Sequence, residues 1–275
     1  MNDQTPPRVL SEPGKPILEG VNWGGLKTLY IKEVRRFFKV HMQTVWAPAI
    51  TTLLYLVIFT VALGREGKTV MGVPFADFIA PGLIMMGMLQ NSFANASFSL
   101  MVGKMQGTIV DYLMPPLSTG ELIAALVSAA VTRAFLVGGA VWLVMSLWPG
   151  VHVSIAHPLT ALWFGLMGSL MLAFLGVITS IWADKFDQAA MVTNFVVTPL
   201  SLLSGTFYSV EQLAPAFRAV SHANPFFYVI SGFRHGFLGV TDSPLLFGAG
   251  LLLAINVALF VLCYALLRSG WKIKN

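Results

Sequence analysis

Six continuous apolar stretches, each long enough to cross a bilayer as a helix, constrain this chain more than any other feature. They cover roughly residues 44–63, 77–101, 121–148, 158–182, 190–209 and 245–267. A spanning helix needs about 20 apolar residues to cross ~30 Å of hydrocarbon. Lipid offers backbone amides no partner, so each stretch must be helical unless the chain closes into a barrel. A barrel does not fit, because the runs do not alternate and exceed the about 9–11 residues of a spanning strand. Composition points the same way. Charged residues make up 11% of the chain, against about 25% in soluble domains. The expected fold class is an all-α integral membrane protein with six transmembrane helices.

The net charge of +5 invites a nucleic-acid reading, but the placement of the charges argues against one. Seven of the 17 Lys and Arg precede residue 44, beside the first apolar stretch. An N-terminus in the cytoplasm puts 12 of the 17 inside, four outside (Arg65, Lys68, Arg218, Arg234) and Arg133 within a span. That asymmetry predicts two cytoplasmic termini. Residues 1–20, with Pro6, Pro7, Pro13 and Pro16 and no apolar core of a signal peptide, read as a disordered cytoplasmic tail. The single cysteine, Cys263, excludes an intramolecular disulfide and a cysteine-based metal cluster.

Two segments are neither spans nor simple loops. In residues 21–40, Trp23, Leu26, Tyr30, Val34 and Phe37 recur at helical spacing, with Lys32, Arg35, Arg36 and Lys39 on another face. This predicts an amphipathic helix in the cytoplasmic interface, serving as an anchor or in a mechanical role. The remainder, 41–275, forms the six-helix domain. Within it, residues 210–244 are too apolar for an ordinary loop, and Pro215, Asn224, Pro225 and Gly232 break them. Two short half-helices dipping back into the outer leaflet fit this pattern.

Reactive chemistry is hard to assemble. Ala62–Thr69 matches a loose phosphate-binding loop with alanine at the first glycine, yet a spanning helix enters it where a strand is needed, so no nucleotide site is expected. Ser204-Gly205, followed by His222 and His235, could suggest an intramembrane protease, but Leu202 and Thr206 stand where a serine elbow needs glycine. No catalytic residue and no metal ligand set is expected. Arg133, near the middle of the third span, must face protein or a wet cavity, in a functional or a structural role. Asn91, Asn95 and backbone carbonyls are its candidate partners.

Two spans carry polar stripes. Asn91 and Asn95 are one turn apart in the second, with Ser92, Ser97 and Ser99 nearby; Asn194, Thr198, Ser201, Gly205 and Tyr208 share a face of the fifth. Such stripes serve helix packing, substrate contact, or both at a dimer interface. The inner loop 104–118 runs Lys-Met-Gln-Gly-Thr-Ile-Val-Asp-Tyr-Leu-Met-Pro-Pro-Leu-Ser. Ile109, Tyr112 and Leu113 give it one apolar helical face, to be buried by the membrane or by a cytoplasmic partner.

These segments resemble the membrane subunits of ABC-2-type exporters, also called type V ABC transporters, over nearly the whole chain. Phe78-Ile-Ala-Pro-Gly-Leu-Ile-Met-Met with Asn91 and Asn95 is similar to the family's second span. Gly107-Thr-Ile-Val-Asp-Tyr-Leu-Met-Pro-Pro resembles the loop that contacts the ATPase, and Asn224-Pro-Phe-Phe-Tyr with Gly232-Phe-Arg-His-Gly-Phe resembles the re-entrant outer helices. The resemblance implies a homodimer in the inner membrane, with two cytoplasmic ATPase subunits that bind MgATP; this chain itself would need no cofactor. It implies that Gly107, Thr108, Asp111, Tyr112, Met114, Pro115 and Pro116, with Arg35 and Arg36, transmit force. Asn91, Asn95, Phe98, Asn194, Thr198 and Ser201 would line the pathway. Tyr208, Asn224, Pro225, Phe226 and Arg234 would form an outer gate.

The expected function is therefore the permease subunit of an ATP-driven exporter. Its cargo would be an amphipathic or hydrophobic molecule such as a lipid, a lipid-linked glycan or a drug-like compound, because the spans carry almost no charge. The alternative is a secondary transporter or channel without an ATPase, which needs ionisable groups at mid-membrane; only Arg133 qualifies.

Overall fold

A computed structural model describes residues 20–63 and 69–272, and those residues are overwhelmingly helical. The tail 1–19 and most of the Ala62–Thr69 stretch lie outside them. In chain order the helices are α1 (Trp23–Phe38), α2 (Ala47–Leu63), α3 (Phe75–Met105), α4 (Val110–Leu113), α5 (Thr119–Ser146) and α6 (Pro158–Trp182). They continue with α7 (Phe186–Val192), α8 (Thr198–Leu202), α9 (Pro215–Ala223), α10 (Pro225–Leu238) and α11 (Leu245–Ser269). A π-turn, Met42–Trp46, leads into α2, and a second, Thr193–Val197, joins α7 to α8. The only sheet among the described residues is an antiparallel hairpin, β1 (Thr69–Val70) with β2 (Val73–Pro74).

Among the described residues, four helical segments are long and apolar enough to cross a membrane: Met42–Ala62, Thr119–Ser146, Pro158–Trp182 and Leu245–Ser269. This is an all-α membrane protein. The longest helix, α3, has 31 residues and is buried along almost its whole length. It packs most extensively against α6 and α5, while α2 and α11 are peripheral, their apolar side chains mostly facing outward. Small residues let α3 and α6 close on each other. A Cβ at Gly176 would lie 2.7 Å from both the Phe93 carbonyl and the Ala96 Cβ. Ser92 Oγ donates to the Ser169 carbonyl at 2.6 Å across the same seam. Close backbone approach and an interhelical hydrogen bond are the means by which helices associate when no hydrophobic effect separates lipid from side chain.

Local chemistry sets the helix ends. Ser118 and Glu121 form a reciprocal capping box at the start of α5. The same Glu121 carboxylate accepts the Asn22 N–H at 2.5 Å, which pins the start of α1 to the start of α5. Asn224 caps α10 through the Phe226 N–H, Pro225 takes its first position, and Gly239 ends it at φ +72°.

The fifth apolar stretch differs from its expected form. Its helical rod runs from Phe186 to Leu202 and stops before Gly205 and Tyr208, so those two do not share a helix face with Asn194, Thr198 and Ser201. Pro199 lacks the N–H that would bond back one turn, and the π-turn precedes it. Beyond it, side chains take the terminal carbonyls: Ser204 and Thr206 hydroxyls donate to Ser201, Asn224 Nδ2 to Leu200 and Ser221 to Leu203. Gly205, at φ +76°, then turns the chain.

Between this turn and α11 lie the two short helices. α9 is exposed over most of its length, whereas α10 is buried among α3, α6 and α11.

Candidate functional site

At the α1 end of the bundle, a polar network joins three helices. Glu33 points inward from α1 and is fully buried. One carboxylate oxygen accepts from the Tyr112 hydroxyl of α4 at 3.0 Å, and the other accepts from Ser99 Oγ of α3 at 2.8 Å. Arg36, one turn on, pairs with Glu33 at 3.0 Å and donates to the Asn95 carbonyl at 2.9 Å and to Ser99 Oγ at 3.0 Å. Lys32 lies 3.8 Å above the Tyr112 ring. Burial, then the Glu33 charge, raises the Tyr112 phenol well above its ordinary range, so it stays a neutral donor.

Of the apolar face read in α1, Leu26, Tyr30 and Phe37 do turn to protein, but a charged residue joins them there. The face turned to protein is Leu29, Glu33 and Phe37, while Trp23 is 71% exposed. Arg36 is committed to the interior, whereas Arg35 is exposed at the surface. A signal for Glu33 was present: it is an acid at the i+4 position between Leu29 and Phe37, in a core register.

The loop before α5 splits into two sides. Ile109 and Tyr112 pack inward, whereas Val110, Leu113 and Met114 are exposed, Met114 by 78%. Gly107, Thr108, Asp111, Pro115 and Pro116 are also at the surface. Leu113 thus leaves the apolar face it shares with Ile109 and Tyr112 by spacing, because a single-turn helix cannot bury both sides. A surface of exposed apolar residues around one acid remains at this end of the molecule.

Along the bundle, α2, α3 and α8 enclose a cleft of about 630 Å³. Gln43, Thr51, Thr52, Tyr55, Gln90, Asn91 and Thr198 give its wall neutral polar groups, and Phe59, Leu83, Met86 and Phe207 give it apolar ones. Among the described residues, no charged side chain lines it. Of the expected pathway residues, Asn91 and Thr198 are in this wall. Asn95 is occupied by Arg36, Ser201 is buried and donates to Val197, Asn194 is exposed on the π-turn, and Phe98 packs against Phe186. The contribution of Gln43, Thr51 and Tyr55, from the first span, was missed; they are scattered through an apolar run and form no stripe.

Arg133 lies behind the cleft. Its Nη2 donates to Asn91 Oδ1 at 2.9 Å, and Asn91 Nδ2 donates to the Gly87 carbonyl at 3.0 Å. Asn91 therefore stands between a half-buried cation and the cleft. At the opposite end, Arg234 is 1% exposed and pairs with the equally buried Asp242 at 3.4 Å. It also donates to the carbonyls of Gly205 and Phe78 and lies 3.9 Å over the Phe78 ring. Asn224, Pro225 and Phe226 form the cap of α10, and Tyr208 donates to the Leu202 carbonyl at 3.3 Å. Arg234 and Asn224 thus tie the end of α8 and the turn after it to α10 from within, and Asp242 is the partner that spacing did not reveal.

No serine–histidine pair forms from the candidates. Ser204 donates to Ser201, His235 stacks on His157 with centroids 4.9 Å apart, and His222 meets Phe227 edge-on. Among the described residues, no cluster of three or more His, Cys, Asp or Glu could hold a metal.

A multi-pass helical protein with a neutral amphipathic cleft and an exposed loop tied to the cleft helix belongs to the class of membrane transport proteins. The chain belongs to the ABC-2 type transporter family, whose sequence model matches residues 25–238. It is similar to the inner membrane transport permease YadH of Escherichia coli (strain K12), with 36% identity over 259 residues, 92% of this chain and 98% of the relative. Nodulation protein J of Rhizobium leguminosarum bv. viciae is 25% identical over 254 residues, 90% of this chain and 95% of that one. Nodulation protein J of Neorhizobium galegae is 28% identical over 217 residues, covering 76% and 78%.

Proposed function

We propose that this chain is the membrane-spanning permease subunit of an ATP-driven exporter in the inner membrane, acting as a homodimer with both termini in the cytoplasm. The chain crosses six times: the four strongly apolar helices, α3, and the rod from Phe186 to Leu202. At about 1.5 Å per residue, 17 residues give the rod ~25 Å, near the lower limit for a span. α9 and α10 form a re-entrant pair at the outer side. MgATP is bound and hydrolysed by two separate cytoplasmic subunits, which dock on the exposed face of the 107–116 loop.

The observation that carries this reading is the Tyr112–Glu33–Ser99 chain of hydrogen bonds. It runs from the exposed loop helix α4, through α1, to α3, whose midsection lines the cleft. A displacement of α4 by a partner therefore reaches the cleft helix through buried, hydrogen-bonded contacts. The cleft wall, neutral and half apolar, supports an amphipathic cargo. Two copies meeting along the exposed faces of α2 and α7–α8 would close the two clefts into one pathway.

The test is purification of the tagged chain from its native membranes in mild detergent. We expect a soluble subunit with ATPase activity to co-purify, and to be lost from Asp111→Lys and Met114→Glu variants that insert normally. A chain that purifies alone even after crosslinking, or variants that keep the ATPase bound, would overturn the assignment.

A further inference from the structure

A second cavity, of about 250 Å³, lies against the face of α3 that adjoins the cleft-lining one. Ile84 and Met88 of α3, Gly139 and Trp142 of α5, Leu162 of α6 and Phe233 of α10 are among its walls. Its origin is a pair of adjacent glycines. Gly138 lets α5 approach Met88, where a Cβ would lie 2.7 Å from the thioether sulfur. Gly139 has nothing within 4 Å of its Cβ position, and so leaves a notch in the surface of α5.

The notch faces lipid. Leu162 is 54% exposed and Trp142 37%, and neighbouring Leu136, Leu143 and Leu159 are also exposed. Its depth follows from helix length. Gly139 lies ~30 Å along α5 from Thr119, on a helix about 42 Å long at 1.5 Å per residue. With ~30 Å of hydrocarbon centred on that helix, the notch falls within the acyl region of the leaflet away from α1. The lining offers no free polar group, because the Trp142 indole N–H is already donated to the Val153 carbonyl at 3.0 Å. Water held there would find none of the two to four partners, roughly, that a buried water needs.

We propose that this notch is a binding site for one acyl chain of a phospholipid from the leaflet away from α1, held as a resident ligand. Ile84 and Met88 touch the chain, while Leu83, Gly87 and Gln90 on the adjoining face of α3 line the cleft. The bound lipid therefore braces the helix that lines the cleft and stays outside the cleft itself.

The full chain, reconstituted in vesicles of phosphatidylglycerol and phosphatidylethanolamine with a trace of phospholipid bearing a diazirine on one acyl chain, is irradiated and its adducts mapped by mass spectrometry. Adducts are expected to concentrate on the segments around Trp142 and Leu162, several-fold above those on α2 and α11. Gly139→Leu, whose Cβ meets no neighbour and whose side chain extends into the notch, is expected to lower these adducts several-fold and leave those on α2 and α11 unchanged. Leu162→Trp, filling it from the opposite wall, is expected to act likewise should Gly139→Leu fail to fold. Adducts spread evenly over the lipid-facing helices, or unchanged in a folded filled variant, would overturn the proposal.

Discussion

The Tyr112 hydroxyl donates to the buried Glu33 carboxylate at 3.0 Å, bonding the loop helix α4 to α1 across 79 positions of sequence. Phenylalanine at 112 keeps the ring and leaves a buried carboxylate oxygen without this donor. We expect Tyr112→Phe to destabilise the protein by about 1–3 kcal/mol, read as a lower thermal unfolding midpoint in detergent. An unchanged midpoint would show that the bond contributes nothing net.

The same pair predicts a pH dependence. Burial and the Glu33 charge raise the folded phenol above its ordinary value of about 10, whereas the unfolded chain ionises near that value. The folded state then holds a proton that the unfolded state has lost, so this contribution is fully present below about pH 10 and declines as pH rises further. Wild type should lose stability faster than Tyr112→Phe above that point. Parallel curves would contradict the shift.

Arg133 and Asn91 should behave asymmetrically. Asn91→Leu leaves a half-buried guanidinium without its side-chain acceptor and is expected to lower stability by about 1–3 kcal/mol. Arg133→Leu removes the charge together with its desolvation penalty and should have the smaller effect. Adding Arg133→Leu to Asn91→Leu should recover most of the loss. The double-mutant cycle, measured by thermal unfolding, fails this expectation if the two single effects simply add.

Arg234 and Asp242 form a fully buried ion pair, and Arg234 also holds the Gly205 turn to α10. Asp242→Asn retains a hydrogen-bonding group beside Arg234 and should be milder than Asp242→Leu, which leaves the guanidinium without its counter-ion. Protease access to the 203–214 segment, followed over time, should rise more in Asp242→Leu. Equal protection in both variants would place the restraint elsewhere.

A Cβ at Gly236 would lie 2.5 Å from the backbone nitrogen of Ala161, which cannot move without shifting α6. Gly236→Ala is expected to lower the unfolding midpoint through overpacking of about 1–3 kcal/mol. Gly139→Ala, where the space is open, should be neutral or slightly stabilising because alanine favours helix. Equal midpoints for the two would refute the close α6–α10 approach.

What the sequence by itself determined is the class of element: runs of about 20 apolar residues in lipid have only the helix available to them, since no water satisfies their amides. A helix within 21–40, the two short helices after residue 210 and Asn91 as a candidate partner for Arg133 were legible from spacing and from proline and asparagine at helix starts. Which side of each helix meets which neighbour was not. Glu33 and Arg36 look like charges for solvent until α3 and α4 supply Ser99, Asn95 and Tyr112 from far along the chain. The fifth helix ends at Leu202 because Asn224 and Ser221, some 20 residues on, take its carbonyls. Local pattern reports a residue's own preference, whereas a buried polar group takes its role from whichever distant partner the fold brings within hydrogen-bonding distance. Only the tertiary structure decides that partner.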